Sequence, residues 1–196
     1  MGSEKFTFDD IKNLANDMSK NNLVSYDDLP RYDLFLSQVI DYLNDKFSQE
    51  KYTNNIVQNY IKSEVISKPE DGKKRGYTKL HLVQLVLLSY MRPVLTTDEI
   101  NKVFRLAFNE INDRNDDIVS WEEVYKIFED IQKHSFDEFL NADYYDKEAI
   151  EDFAKKNNLS GEEFKRVSIF LTVMTLVAQA SAIKKLAQQL IEKYGI

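Results

Sequence analysis

The sequence predicts an all-α protein that carries one small β-hairpin, arranged as a winged helix-turn-helix followed by a C-terminal helical bundle. Three observations support this. Glycine and proline are scarce, five and three in 196 residues, too few for the turns of a βαβ enzyme fold. Apolar residues recur at three- and four-residue steps along most of the chain. Turn chemistry concentrates at residues 68–77, where Pro69, Asp71-Gly72, Lys73-Lys74-Arg75 and Gly76 follow one another. With 43% hydrophobic residues the chain can bury a genuine core. We expect two units: N-terminal helices with the winged helix-turn-helix over 1–110, and an acidic helical domain for dimerisation or sensing over 111–196.

Residues 8–18 read as a short amphipathic helix, with Ile11, Leu14, Ala15 and Met18 on one face and Thr7 as its cap. After a break at 25–30, residues 34–47 set Leu34, Phe35, Val39, Tyr42, Leu43 and Phe47 on the apolar face of a longer helix. A polar turn leads to Thr53, a suitable N-cap for a helix reaching about residue 63. Residues 68–77 form the expected wing, two extended arms around a basic tip. Thr78 then caps a strongly apolar helix that runs through Arg92 and is ended by Pro93. Four capping boxes mark later helix starts: Thr96 with Glu99, Ser120 with Glu123, Ser135 with Glu138, and Ser160 with Glu163. Residues 167–183 are apolar enough to suggest a membrane span, but Ser168, Thr172, Thr175, Gln179 and Ser181 interrupt a stretch shorter than the roughly 20 residues a span needs. Apolar residues lie on several sides of this helix, so we expect it to be enclosed nearly all round, as the spine of the second half or as a subunit interface.

Composition narrows the function. Without cysteine there is neither a disulfide framework nor a thiolate metal site, which fits a reducing compartment. The first ten residues hold three acidic side chains and no apolar stretch, unlike a secretory signal. A cytoplasmic protein with no membrane association is the expectation. The net charge of −7 opposes indiscriminate coating of nucleic acid, yet residues 46–92 hold nine Lys/Arg against four Asp/Glu. That segment carries +5 and the rest −12.

The basic segment contains the most informative helix. Ile56, Val57, Tyr60 and Ile61 face one way, while Asn55, Gln58, Asn59 and Lys62 form a stripe on the other. Asn and Gln offer the paired donor and acceptor that match the major-groove edge of adenine, and Lys reaches guanine or phosphate. The competing reading is a polar surface with no nucleic-acid role, although such a face more often carries Glu and Lys. Thr53 and Asn54 at the helix start, and Lys68, Lys73, Lys74, Arg75 and Tyr77 in the wing, complete the expected DNA-binding set through phosphate or minor-groove contacts.

The order Tyr60-Ile61-Lys62, Val65-Ile66, Pro69, Gly76-Tyr77, His81-Leu82 and then Leu95-Thr96-Thr97-Asp98-Glu99-Ile100 resembles the MerR winged-helix pattern. More closely, Leu29-Pro30, Asp33-Leu34-Phe35, Gln38-Val39, Asn59-Tyr60-Ile61-Lys62, Lys73-Lys74, Tyr77 and His81 resemble a bacterial family called domain of unknown function 1836. The acidic and aromatic stretch from Ser120 to Phe128 also suits that family, and the likeness runs from about residue 29 to the C-terminus. Its members are regarded as transcriptional regulators, so the resemblance implies DNA binding. Two departures from the MerR pattern stand out: Glu64 replaces the glycine that often follows the recognition helix, and Arg75-Gly76 lengthens the wing.

Other chemistries find little support. Asp113, Asn115, Asp117 and Glu123 suggest a calcium loop, but Ile118 then falls where glycine belongs and Val124 where the bidentate Glu should be. His81 and His134 lie on separate helices without metal-ligand spacing; His81 reads as an orienting residue whose ring bonds the wing backbone. Paired carboxylates such as Glu122-Glu123 sit in first helical turns, where the dipole favours them. No phosphate loop, dinucleotide fingerprint or nucleophile elbow is present. We therefore expect no enzyme, no cofactor and no metal. The expectation is a transcriptional regulator that binds double-stranded DNA as a homodimer, with no effector class indicated. The alternative is a helical protein-interaction adaptor without DNA affinity, which the overall acidity favours.

Overall fold

The computed structural model describes residues 10, 13–14, 16–17, 23–47, 51–69, 76–141 and 146–195. The helix expected over 8–18 falls largely outside them. A 3-10 turn at Tyr26–Asp28 precedes α1 (Leu36–Lys46), α2 (Asn54–Lys62), α3 (Lys79–Met91), α4 (Thr97–Arg105), α5 (Trp121–Asn141), α6 (Lys147–Lys156) and α7 (Gly161–Tyr194). No strand occurs among the described residues. The all-α part of the predicted fold therefore holds, and the β-hairpin does not.

The correction at the wing has a physical cause. Tyr77 pairs with Leu34 in an isolated antiparallel bridge: the Leu34 N–H donates to the Tyr77 carbonyl at 2.8 Å, and the Tyr77 N–H to the Leu34 carbonyl at 3.3 Å. The other expected arm is held by α3 side chains instead. Gln84 Oε1 accepts from the Ser67 N–H (3.0 Å) and hydroxyl (2.8 Å), and His81 Nε2 lies 3.2 Å from the Lys68 carbonyl. Val65 and Ile66 are buried, so this arm serves as core lining. Backbone groups committed to α3 are not available for a ladder with Tyr77.

α3 is the central helix, with every residue from 81 to 89 buried. It packs against α5, where Trp121 stacks on Phe108 (centroids 3.5 Å apart, planes at 10°) and meets Phe104 edge-on. The chain before α1 straps this pair: the Tyr125 hydroxyl donates to the Val24 carbonyl (2.7 Å), the Val24 N–H to the Tyr90 hydroxyl (3.2 Å), and the Tyr26 N–H to Glu129 Oε2 (2.9 Å). One hydrophobic core runs from Val24 to Tyr125, with Phe128 against it. It continues past residue 110 into the first half of α5.

Several helix starts match the capping chemistry. Thr96 and Glu99 exchange N–H contacts at 2.7 and 3.3 Å, as do Ser120 and Glu123 at 3.4 and 3.2 Å. Ser160 precedes α7 as expected, although its side chain makes no cap bond. Ser135 starts nothing: it lies inside α5, a 21-residue helix free of glycine and proline that runs through the position without interruption. α6 has no counterpart among the expected helices; Asp146 caps it by accepting from the Ala149 N–H at 2.9 Å.

The larger departure is α7. It packs on α6 and on α4, with Gln188 Nε2 donating to Glu99 Oε1 of α4 at 2.9 Å. Between and beside these contacts it is bare, with Phe170, Val177, Ile183 and Leu186 all more than half exposed. The expected enclosure is absent in the single chain. By length and composition alone this helix, with a mean hydropathy of 1.6 over its most apolar 18-residue window, could cross a membrane.

Candidate nucleic-acid interface

α2 is fixed from three sides. Its N-cap Thr53 accepts from the Ile56 N–H at 3.4 Å, and Val57 and Ile61 are buried against the core. The seven-residue connection from α1 is longer than the three- or four-residue turn of a tight helix-turn-helix, and it is clamped by Asn44. Asn44 Oδ1 accepts from the Tyr52 N–H (2.6 Å), and its amide donates back to the Tyr52 carbonyl (3.1 Å). The Tyr52 ring is buried, with its hydroxyl 2.7 Å from Ser89 Oγ on α3 and Arg92 over its face at 4.8 Å. Burial drives the Tyr52 phenol upward, partly offset by Ser89 and Arg92.

At its far end α2 closes with a Schellman motif. Ser63 is the C-cap, Glu64 takes φ +55°, the Val65 N–H reaches the Tyr60 carbonyl (2.9 Å), and the Glu64 N–H reaches that of Ile61 (3.1 Å). The left-handed position that ends α2, which usually takes glycine, is occupied by Glu64.

The polar stripe then falls as the spacing requires. Thr53, Asn54, Asn55, Asn59 and Lys62 are exposed. Gln58 is half-buried, its amide donating to the Tyr77 hydroxyl at 3.4 Å. Tyr77 is only 5% exposed, which makes it a core support for Gln58 rather than a surface contact. Burial raises its phenol above the ordinary value. Lys68 is exposed, and Lys73, Lys74 and Arg75 lie outside the described residues. Lys51 and Lys62, both exposed, have no carboxylate partner among the described residues. A shallow groove of about 190 Å³ runs beside the stripe, lined by Ile56, Asn59, Tyr60, Ser63, Arg92 and Thr97. The surface offers amide groups and cations, and no cluster of three or more His, Cys, Asp or Glu that would hold a metal exists among the described residues.

His81, 1% exposed, secures the start of α3. Its Nδ1 accepts from the Thr78 N–H at 3.1 Å, which leaves Nε2 as the donor to the Lys68 carbonyl. It does bond the backbone of the segment read as the wing. Sequence reasoning missed Asn44, Tyr52, Ser89 and Gln84; Tyr52, Ser89 and Gln84 act through partners 17 or more residues away. Only the Asn44-to-Tyr52 spacing, just beyond the end of a helix, hinted at a clamp.

A second cleft, of about 500 Å³, lies between Tyr26, Leu80, Val83 and residues 117–123. At its edge Lys79 sits 3.6 Å from the Tyr26 ring centroid. Burial, then a hydrogen bond from the Tyr26 side chain to Glu122, lifts the Tyr26 phenol to about 12.

The described residues thus define an all-helical protein whose single large core presents one short, polar-faced helix at its surface. A family model described as Domain of unknown function (DUF1836) matches residues 24–128, more than half of the chain, and the chain belongs to that family. The matched segment has the same limits as the core that runs from Val24 to Phe128. No curated protein and no solved structure matches the chain.

Proposed function

We propose that the protein is a sequence-specific DNA-binding regulator that inserts α2 into the major groove, with Asn55, Asn59 and Lys62 reading base edges. The observation that supports this most is the makeup of the exposed face of α2: three Asn, a Thr and a Lys, with no carboxylate before Glu64, on a helix whose opposite face is locked into the core. Gln58, braced by Tyr77, is a pre-oriented amide beside them. Arg92 lines the groove beside the stripe, the exposed Lys51 and Lys68 flank α2 in sequence, and the basic run 73–75 follows on the same segment, a supply of cations for flanking phosphates. The reading needs no hairpin wing. It is a helix-turn-helix mode with a long, clamped turn.

The test is a fluorescence anisotropy titration of labelled duplexes drawn from a random pool, at low and moderate salt. The proposal expects affinity to fall steeply with salt, and Lys62→Ala to reduce the log–log slope by about one. Absence of binding at low salt would reject it and favour the protein-interaction alternative, to which the net charge of −7 lends weight.

A further inference from the structure

α7 presents one apolar stripe along most of its length, and most of that stripe is exposed. Starting at Ile169 and stepping by four, three, four, three, four, three and four residues, the stripe reaches Val173, Leu176, Ala180, Ile183, Ala187, Leu190 and Tyr194 without meeting a charge. Ile169, Val173, Ile183, Leu190 and Tyr194 are exposed, between 38% and 69%. Moving the stripe one residue back meets Ser168 and Thr172, both buried. Moving it one residue forward meets Lys184, Gln188 bound to Glu99, and buried Ile191. The contacts with α6 and α4 thus centre on neighbouring faces: Leu176 and Ala187 are half-buried at their margins, and the other six seam positions are exposed.

The step pattern reads the same in both directions, so the seam is complementary to itself when reversed. We infer that α7 pairs with α7 of a second copy as an antiparallel coiled coil, centred between Ala180 and Ile183. In that register Ile169 of one copy meets Tyr194 of the other, and Val173 meets Leu190. Leu176 meets Ala187, and Ala180 meets Ile183. Large residues then face small ones in the two central layers, which fills space evenly. A parallel pair would set Ala180 on Ala180 and Ala187 on Ala187, leaving voids, and would place Lys184 and Lys185 of both copies side by side. The antiparallel pair also opposes the two helix dipoles. The contact is isologous, as two-fold symmetry requires. With flanking Phe170, Val177 and Leu186 it would bury on the order of 1,200 Å² over both copies, within the range of specific interfaces.

This deepens the dimer expected of a regulator but does not depend on DNA binding, so its test uses the full chain without DNA. The chain has no cysteine, so introduced thiols report cleanly. Sedimentation equilibrium at micromolar concentration is expected to give twice the 23.0 kDa chain mass. Ile183→Glu is expected to halve that mass while the helical circular dichroism of the core persists. Under mild oxidation, the Val173→Cys/Leu190→Cys double variant is expected to cross-link between chains, and Val173→Cys alone is not, because its two copies would lie roughly 25 Å apart at the α-helical rise. A monomer in sedimentation overturns the inference. So does cross-linking by Val173→Cys alone, which indicates a parallel pair. Partition of the chain into phosphatidylcholine–phosphatidylglycerol vesicles, with a monomer in detergent, also overturns it and assigns the apolar face to a membrane.

Discussion

Glu64 shows how a single residue can keep a geometry that its side chain disfavours. Its φ of +55° lies in the left-handed region, where a Cβ costs about 1–2 kcal/mol, yet both Schellman hydrogen bonds form and Val65 packs behind them. Glu64→Gly is therefore expected to raise stability by about 1 kcal/mol, less what the unfolded chain gains in freedom. In a chain of this length that corresponds to about 2–4 °C in Tm by calorimetry; an unchanged or lower Tm would show that Glu64 makes a compensating contact. Asn158 reaches the same geometry after α6, φ 54°, with a residue better suited to it. Asn44 acts in the opposite sense, as a clamp. Asn44→Ala removes both bonds to Tyr52 and is expected to cost about 1–2 kcal/mol in chemical denaturation, with the exposed face of α2 chemically unchanged.

At the scale of elements, the strap formed by residues 24–30 rests on α5 through Glu129. Burial works against its charge, but Lys133 at 2.8 Å, the Tyr26 N–H and Ser25 outweigh it, and the carboxyl stays below the usual glutamate range. A depressed carboxyl contributes stability above its unfolded pKa and loses it as pH falls through the folded value. Thermal stability should decline on acidification from about pH 4.5 downward, given an ordinary Glu pKa of about 4.3. Glu129→Gln should lower Tm at neutral pH and flatten that part of the acid limb; parallel acid limbs in the two proteins would show that Glu129 does not set it.

The elements also show what a sequence makes legible. Capping at Thr53, Thr96 and Ser120 is local, each cap lying three residues from its partner, so helix starts could be read directly. The face of α2 was legible for the same reason, since helical period fixes which residues share a side. The wing was not. Whether Tyr77 pairs with its neighbouring arm or with Leu34, 43 residues earlier, depends on side chains of α3 that claim Ser67 and Lys68 first. Turn-forming residues show that a chain reverses, and do not show what it pairs with. Ser135 misled because its box motif lacks the break in helix-forming residues that an N-terminus needs.

At the scale of the molecule, the family segment 24–128 is a closed core, and α7 extends from it as a helical arm. The apolar residues of α7 looked like the centre of a bundle, since apolar character all round a helix ordinarily means enclosure. Only the structure shows which faces are taken and which are free. In the antiparallel α7 pair, the two Tyr194 ends, each near its own α4, lie roughly 37 Å apart along the seam, comparable to one turn of B-DNA. Dimer and DNA readings therefore make a joint prediction that neither makes alone: a selected duplex should contain two inverted half-sites, and Ile183→Glu should weaken binding to the full site far more than to one half-site.

If the exposed amides of α2 read sequence, removing them should cost selectivity before it costs affinity. The decisive quantity is the ratio of affinities for a selected duplex and a scrambled one, compared between the natural chain and Asn55→Ala/Asn59→Ala. Each amide that reads a base contributes about 1–3 kcal/mol of discrimination, so the ratio should fall by at least about tenfold while salt-dependent binding to the scrambled duplex persists. A ratio unchanged by the two substitutions would refute the role of α2, because selectivity would then arise from some other surface of the chain.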